Sequence, residues 1–189
     1  MTELDRELAR SAASFFAPAA PRLVFGEGPV HARVMLIGEA PGESEEREGR
    51  PFVGKAGKNL NDMLELIRLD RGELYVTNTV KLRPSRVSPA GNLVNRPPTG
   101  KEVAFFLPFL LREIALVSPD CIVTLGNTPL RALMGKNAVI GDMHGRFISR
   151  EGSLLYPMYH PASLIYNRSL TATYEEDMRR LAEWLAANH

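Results

Sequence analysis

Val34-Met35-Leu36-Ile37-Gly38-Glu39-Ala40-Pro41-Gly42 decides how this chain is read: four apolar positions without a polar break, then a turn bounded by two glycines and stiffened by Pro41. An unbroken apolar run of that length fits a strand buried on both faces, as parallel strands under helices are. The glycines let a ligand approach the backbone closely. Working outward, the runs 33–38, 75–81, 121–126 and 154–159 are all short and rich in aliphatic or β-branched residues, and they predict four strands. Between them, 56–69, 101–117 and 128–134 carry apolar residues at a spacing near 3.6, and 172–187 closes the chain as a last helix. Thr99 followed by Glu102 is a capping-box start for the middle helix. Alternation of this kind predicts a three-layer α/β/α sandwich around a central four-stranded parallel sheet. His160-Pro161-Ala162-Ser163-Leu164 follows the fourth run as Gly38 to Gly42 follows the first. The carboxyl ends of parallel strands share one edge, so both motifs are expected in one crevice.

Composition bounds the rest. A chain of 189 residues with 44% hydrophobic content supports one domain with a real core. We expect an N-terminal helix and Pro/Ala connector over 1–22, with the core beginning near Leu23, and a single domain over 23–189. Lys and Arg number 23 against 22 Asp and Glu, so net charge says nothing for or against a polyanionic partner. A lone cysteine, Cys121, excludes an internal disulfide and any all-cysteine metal site, and its strand context predicts an inert packed thiol. No basic leader precedes an apolar stretch, and no run approaches the roughly 18 residues of a membrane span. The expected setting is cytoplasmic, with no membrane association and a monomeric chain. Four prolines and a glycine in 82–98 predict a long surface loop, of the kind that often carries function.

The turn alone is weak information, since a structural βα turn has the same composition. The residues after it are more specific: the acidic run Glu43, Glu45, Glu46 and Glu48, then Gly49-Arg50-Pro51-Phe52-Val53-Gly54-Lys55-Ala56-Gly57, which sets an aromatic ring between rigid and flexible residues ahead of a helix. Together with Thr77-Asn78-Thr79-Val80-Lys81, Arg83-Pro84 and the His160 to Leu164 block, these segments resemble the uracil-DNA glycosylase superfamily, most closely its iron-sulfur family four. The likeness runs from about Val24 to Leu185 with the blocks in the family's order.

The resemblance implies a glycosylase that hydrolyses the bond between deoxyribose and a flipped-out deaminated base, most of all uracil, in DNA base excision repair. It implies that Asn78 reads the base, that Phe52 stacks on it, and that His160 stabilises charge developing on uracil O2. Leu164 corresponds to the apolar wedge that fills the vacated stack. A branch of the superfamily orients its water with an aspartate where this chain has Ala40, which leaves Glu39 and Glu45 as carboxylates for that role. Lys55, Lys58, Arg83, Arg86 and Arg96, with backbone N–H groups near Gly54 and Gly126, are the expected phosphate contacts. Plain structural readings stand beside each: a turn asparagine, a core phenylalanine, a backbone-satisfied histidine, a core leucine, solvated acids and bases. Family four holds an iron-sulfur cubane on four cysteines. Here Leu82 takes the third position, Phe105 or Phe106 the fourth, and the region around Ser14 to Pro21 has no thiol, so we expect no cofactor and no metal, with apolar packing as the local staple. Two alternatives remain open: the same chemistry on hypoxanthine or xanthine, and a non-catalytic paralogue that binds DNA lesions.

Overall fold

The structure, a computed structural model, describes residues 3–150 and 152–188. The chain runs through α1 (Glu3–Phe15), β1 (Val34–Gly38), α2 (Glu43–Glu48), α3 (Lys55–Leu66) and β2 (Tyr75–Asn78). A small hairpin of β3 (Ser85–Val87) and β4 (Leu93–Asn95) precedes α4 (Gly100–Val117). Then come β5 (Cys121–Leu125), α5 (Asn127–Met134), α6 (Ile140–Met143), β6 (Ile148–Arg150), β7 (Ser153–Met158), α7 (Ser163–Tyr166) and α8 (Thr171–Ala187).

The strand order is β2-β1-β5-β7-β6. The four expected strands are parallel neighbours, and β6 adds a fifth, antiparallel to β7, at the edge. All five residues of β1 and of β5 are buried. Alternation within β1 explains the layers: Val34 and Leu36 join Leu60 and Leu64 of α3 and Tyr174, Met178 and Leu181 of α8 on one face. Met35 and Ile37 join Leu110 and Val117 of α4 and Leu130 and Leu133 of α5 on the other. Successive strand side chains point to opposite faces, so one apolar run can serve both helical layers.

Three departures have physical causes. The expected loop at 82–98 contains the β3–β4 hairpin, paired from Ser85↔Asn95 to Val87↔Leu93, because its prolines sit outside the two ladder segments. The acidic run after Gly42 is a helix with no buried residue, so it carries no apolar period to reveal it. Burial also starts upstream of Leu23: α1 inserts Leu4, Leu8 and Ala12, and Glu7 holds Arg112 of α4 through two hydrogen bonds of 2.8 Å. Thr99 and Glu102 form the expected capping box on α4. Cys121 is fully buried, which pushes its thiol up to about 12 and leaves it inert.

Candidate active site

The order in which strands are added reverses between the parallel neighbours β1 and β5: β1 leads to β2 on one side, and β5 leads on to β7 on the other. A crevice opens at the carboxyl ends of strands at such a point. Two adjoining cavities occupy it. One, of about 480 Å³, is lined by Ala40, Gly42, Glu45, Phe52, Asn78 and His160. The other, of about 610 Å³, is lined by Glu39, Gly126, Asn127 and Tyr159 and shares Ala40, Asn95, His160, Ala162 and Tyr166 with the first. Cavities of similar volume at the amino ends of the strands, such as that lined by Leu111, Ile114, Ile122 and Leu155, lie away from every motif.

Register brings the first two side chains together, because Gly38 pairs with Asn78 across β1 and β2. A methyl group on Gly38 would fall inside contact distance of Asn78 Oδ1 and 2.5 Å from Phe52 Cζ, so glycine is what lets amide and ring meet there. Asn78 is 3% exposed, and its carboxamide makes no hydrogen bond to any described residue. Buried polar groups are ordinarily paired, so an unspent amide on a cavity wall is poised for a ligand.

Phe52 sits at φ 52°, a left-handed conformation that costs a non-glycine residue about 1–3 kcal/mol and needs surrounding structure to enforce it. That structure is visible. Arg71 donates to the Pro51 and Phe52 carbonyls at 2.7 and 3.1 Å. Glu45 accepts the N–H groups of Val53 and Gly54 at 3.0 and 2.7 Å, and its other oxygen accepts that of Gly42 at 3.1 Å. Gly57 allows α3 to approach the Phe52 carbonyl where a methyl group would collide. The ring that results is 5% exposed and lies 5.9 Å from the His160 ring at 28°.

His160 follows β7, and its loop is tied to α3 by Asn59, which donates to the Pro161 carbonyl at 3.1 Å. Burial lowers its pKa from 6.5 to about 4, against a small opposing pull from Glu45. The ring is neutral at neutral pH. Nδ1 accepts the Ala162 N–H at 3.1 Å, so the ring proton resides on Nε2, which is left as a donor. Glu39 and Glu45 separate by their contacts. Three backbone N–H groups occupy Glu45, whereas among the described residues Glu39 takes only the hydroxyl of Thr128, through one oxygen, and lines the second cavity.

The expected DNA contacts divide in the same way. Lys55 and Lys58 are exposed on the first turns of α3, with Lys55 at the cavity mouth, and Arg86 is exposed on β3. Arg83 is turned inward instead. It is 9% exposed, donates to Asn95 at 2.7 Å and to Glu46 at 3.2 Å, and ties the hairpin to α2. Its charge is already matched by carboxylates, which leaves no free cation for a phosphate. Arg96 is likewise held by Glu102 at 2.7 and 2.8 Å. The Gly54 and Gly126 amides are spent on Glu45 and on the Met158 carbonyl. Leu164 is half-buried against the core, while Ile165 at 45% and Tyr166 at 88% exposure stand free on α7. Tyr166, which lines both cavities, and Thr128, which bonds Glu39, are not singled out by the sequence; an aromatic two residues beyond the His160 block was the available signal for the first.

The residues where family four would hold its cubane do not fit one. Leu82 and Phe106 are buried with Leu8 and Val80, packed by Phe16, Phe105 and Phe109. Phe15 stacks on Phe105 at 4.4 Å, and Phe16 on Phe106 at 5.9 Å. Rings and a leucine offer iron no donor, and the chain's one thiol lies in β5. Among the described residues, no group of three or more His, Cys, Asp or Glu side chains is arranged to hold a metal, and no helix is long and apolar enough to cross a membrane.

Comparison with known proteins agrees with this architecture. The sequence model of the family described as "Uracil DNA glycosylase superfamily" matches residues 25–186. The chain is 38% identical over 167 residues to a type-4 uracil-DNA glycosylase of Sulfurisphaera tokodaii, covering 84% of this chain and 72% of the relative. Identity is 39% over 171 residues to the Saccharolobus solfataricus protein of the same name, covering 86% and 76%. For that of Thermotoga maritima it is 40% over 149 residues, covering 78% and 73%.

Proposed function

The chain belongs to the uracil-DNA glycosylase superfamily, and from that premise and the crevice geometry we propose that it hydrolyses the N-glycosidic bond of uracil flipped out of DNA. One observation carries the reading: an unpartnered buried amide (Asn78), a pinned ring (Phe52) and a neutral imidazole donor (His160) face one cavity large enough for a single base. Asn78 donates to uracil O4 and accepts from N3–H, while cytosine presents the reverse pattern. Phe52 contributes about 1–3 kcal/mol of stacking, largely indifferent to base identity. As the C1′–N1 bond breaks, its electrons pass to the base, and negative charge grows on O2. A neutral Nε2–H held there stabilises the transition state more than the ground state.

Water then joins C1′ and loses a proton. Glu39 suits this step better than Glu45, since one of its oxygens is unengaged and it lines the cavity adjoining the base pocket. Glu45 works as the clamp that keeps Phe52 in place. On the DNA side, exposed Lys55, Lys58 and Arg86 supply positive charge at the rim, making binding salt-dependent. Ile165 and Tyr166 offer the free apolar surface that a wedge requires, in place of half-buried Leu164. The reading includes a monomer, because one chain supplies every group, and a protein without an iron-sulfur cluster, because apolar packing takes the place of its ligands.

A single-uracil duplex tests this: wild type leaves alkali-labile sites, and His160→Ala lowers kcat by about 10²–10³-fold, as loss of one such donor does elsewhere. Duplexes with hypoxanthine or xanthine serve as the comparison. Tight binding of uracil-DNA without base release overturns the proposal in favour of a lesion-binding paralogue. Iron bound in stoichiometric amount overturns the cluster-free part alone.

A further inference from the structure

An ion pair lies buried behind the base-reading wall and takes no part in the chemistry above. Lys81 and Glu113 are 2% and 7% exposed, with Nζ and Oε2 2.6 Å apart. Lys81 also donates to Thr77 Oγ1 and, at 2.7 Å, to the backbone carbonyl of Asn78. Its three protons thus meet three acceptors. Glu113 in turn accepts from the Tyr75 hydroxyl at 3.0 Å and from Thr77 Oγ1 at 3.2 Å. The network joins α4, through Glu113, to the turn that leaves β2.

Stability does not account for such a pair. Taking two charges out of water costs roughly what their attraction returns, and well-packed apolar side chains commonly do as well. What distinguishes this pair is its third partner. The Asn78 carboxamide has no tether of its own among the described residues, so its aim depends on how its backbone is held. That backbone is held from two sides: Gly38 accepts the Thr79 N–H at 2.8 Å, and Lys81 holds the Asn78 carbonyl. Freed from Lys81, the peptide can tilt, and a tilt at the Cα is magnified at the amide. We infer that Lys81, braced by Glu113, is a positioning residue that fixes the Asn78 peptide and so sets how tightly the pocket holds uracil. The inference rests on reading this pocket as a uracil site.

The test replaces the pair as a unit, Lys81→Met with Glu113→Leu, because removing one partner strands a buried charge and can unfold the protein. Full-length wild type and variant are compared by melting temperature, by kcat and KM on a single-uracil duplex, and by the inhibition constant of free uracil. The expected result is a folded protein whose KM and uracil inhibition constant both rise by about five- to tenfold, the loss in binding that one impaired hydrogen bond to the base brings. A purely structural role lowers the active fraction, hence kcat, and leaves both constants unmoved. Thr77→Val keeps shape but removes one acceptor from Lys81, and it shifts the same two constants in the same direction even if the double variant does not fold. Unchanged constants in either folded variant overturn the inference. A wild type that releases no uracil and is not inhibited by it fails the underlying reading instead.

Discussion

Gly38→Ala is the sharpest probe of the crevice. The change is one methyl group at a position whose φ lies outside the left-handed range, so alanine meets no backbone penalty and the whole effect is contact. That methyl would lie 2.5 Å and 2.8 Å from Phe52 Cζ and Cε2, and closer still to Asn78 Oδ1. Carbon pairs settle at about 3.5–4.0 Å, so ring or amide must retreat by roughly 1 Å. The ring cannot easily do so: Arg71 and Glu45 hold its backbone on either side. The amide can rotate, but only by leaving the pose in which it meets the base. Overpacking of this kind costs about 1–3 kcal/mol of stability, and a 1 Å misplacement about 10²-fold in rate. Base release from a single-uracil duplex is measured beside thermal melting, at a temperature where both proteins are folded. The expectation is kcat/KM down by about 10²-fold with a small loss of melting temperature. A Gly38→Ala protein that keeps wild-type kcat/KM within a factor of about three would show that Asn78 and Phe52 do not act together at this point, since that factor is under 1 kcal/mol.

Three further outcomes are expected. His160 has a native pKa near 4 against 6.5 ordinarily, so unfolding takes up a proton between those values and stability rises with pH across that window; melting curves at pH 4.5, 5.5 and 7 should show a slope that His160→Gln reduces, and parallel curves would contradict the assignment. Phe106→Ala removes a fully buried ring and should cost about 3–5 kcal/mol in urea unfolding while leaving turnover per folded molecule intact. Arg71→Ala releases the Pro51 and Phe52 carbonyls, so stacking weakens and KM should rise by about tenfold with kcat nearly unchanged, equivalent to about 1.4 kcal/mol; a fall in kcat alone would argue against the clamp.

The parallel core was legible because burial on both faces leaves an unmistakable pattern: Val34 to Ile37 has no polar break, and Cys121 to Leu125 only Thr124. The middle helix announced itself through Thr99 and Glu102, whose contact is local in sequence. The hidden features depend on partners distant along the chain. Arg83 reads as a phosphate contact until Glu46 and Asn95 are seen to hold it, because charge alone does not say what neutralises it. Glu45 reads as a carboxylate for the water or a solvated acid, and only the fold carries the Val53 and Gly54 amides to it. Lys81 ends the block that starts at Thr77, but nothing in the sequence ties it to Glu113, 32 residues further on. The hairpin and β6 escaped because three-residue strands are too short for a period to register. Leu164, read as the wedge, is turned toward the core by α7 while Tyr166 two residues on is exposed, a rotation that spacing within four residues does not specify.

The packed rings of Phe15, Phe16, Phe105 and Phe106 reach beyond their own corner. They seat α1 on α4, the helix whose Glu113 ends in the network behind Asn78. Phenyl rings cannot be chelated away and do not need to be assembled by other proteins; they form as the polypeptide collapses. A corner held by side chains of this kind stands or falls with the cooperative unfolding of the core around it, so heat rather than a chelator is what takes it apart.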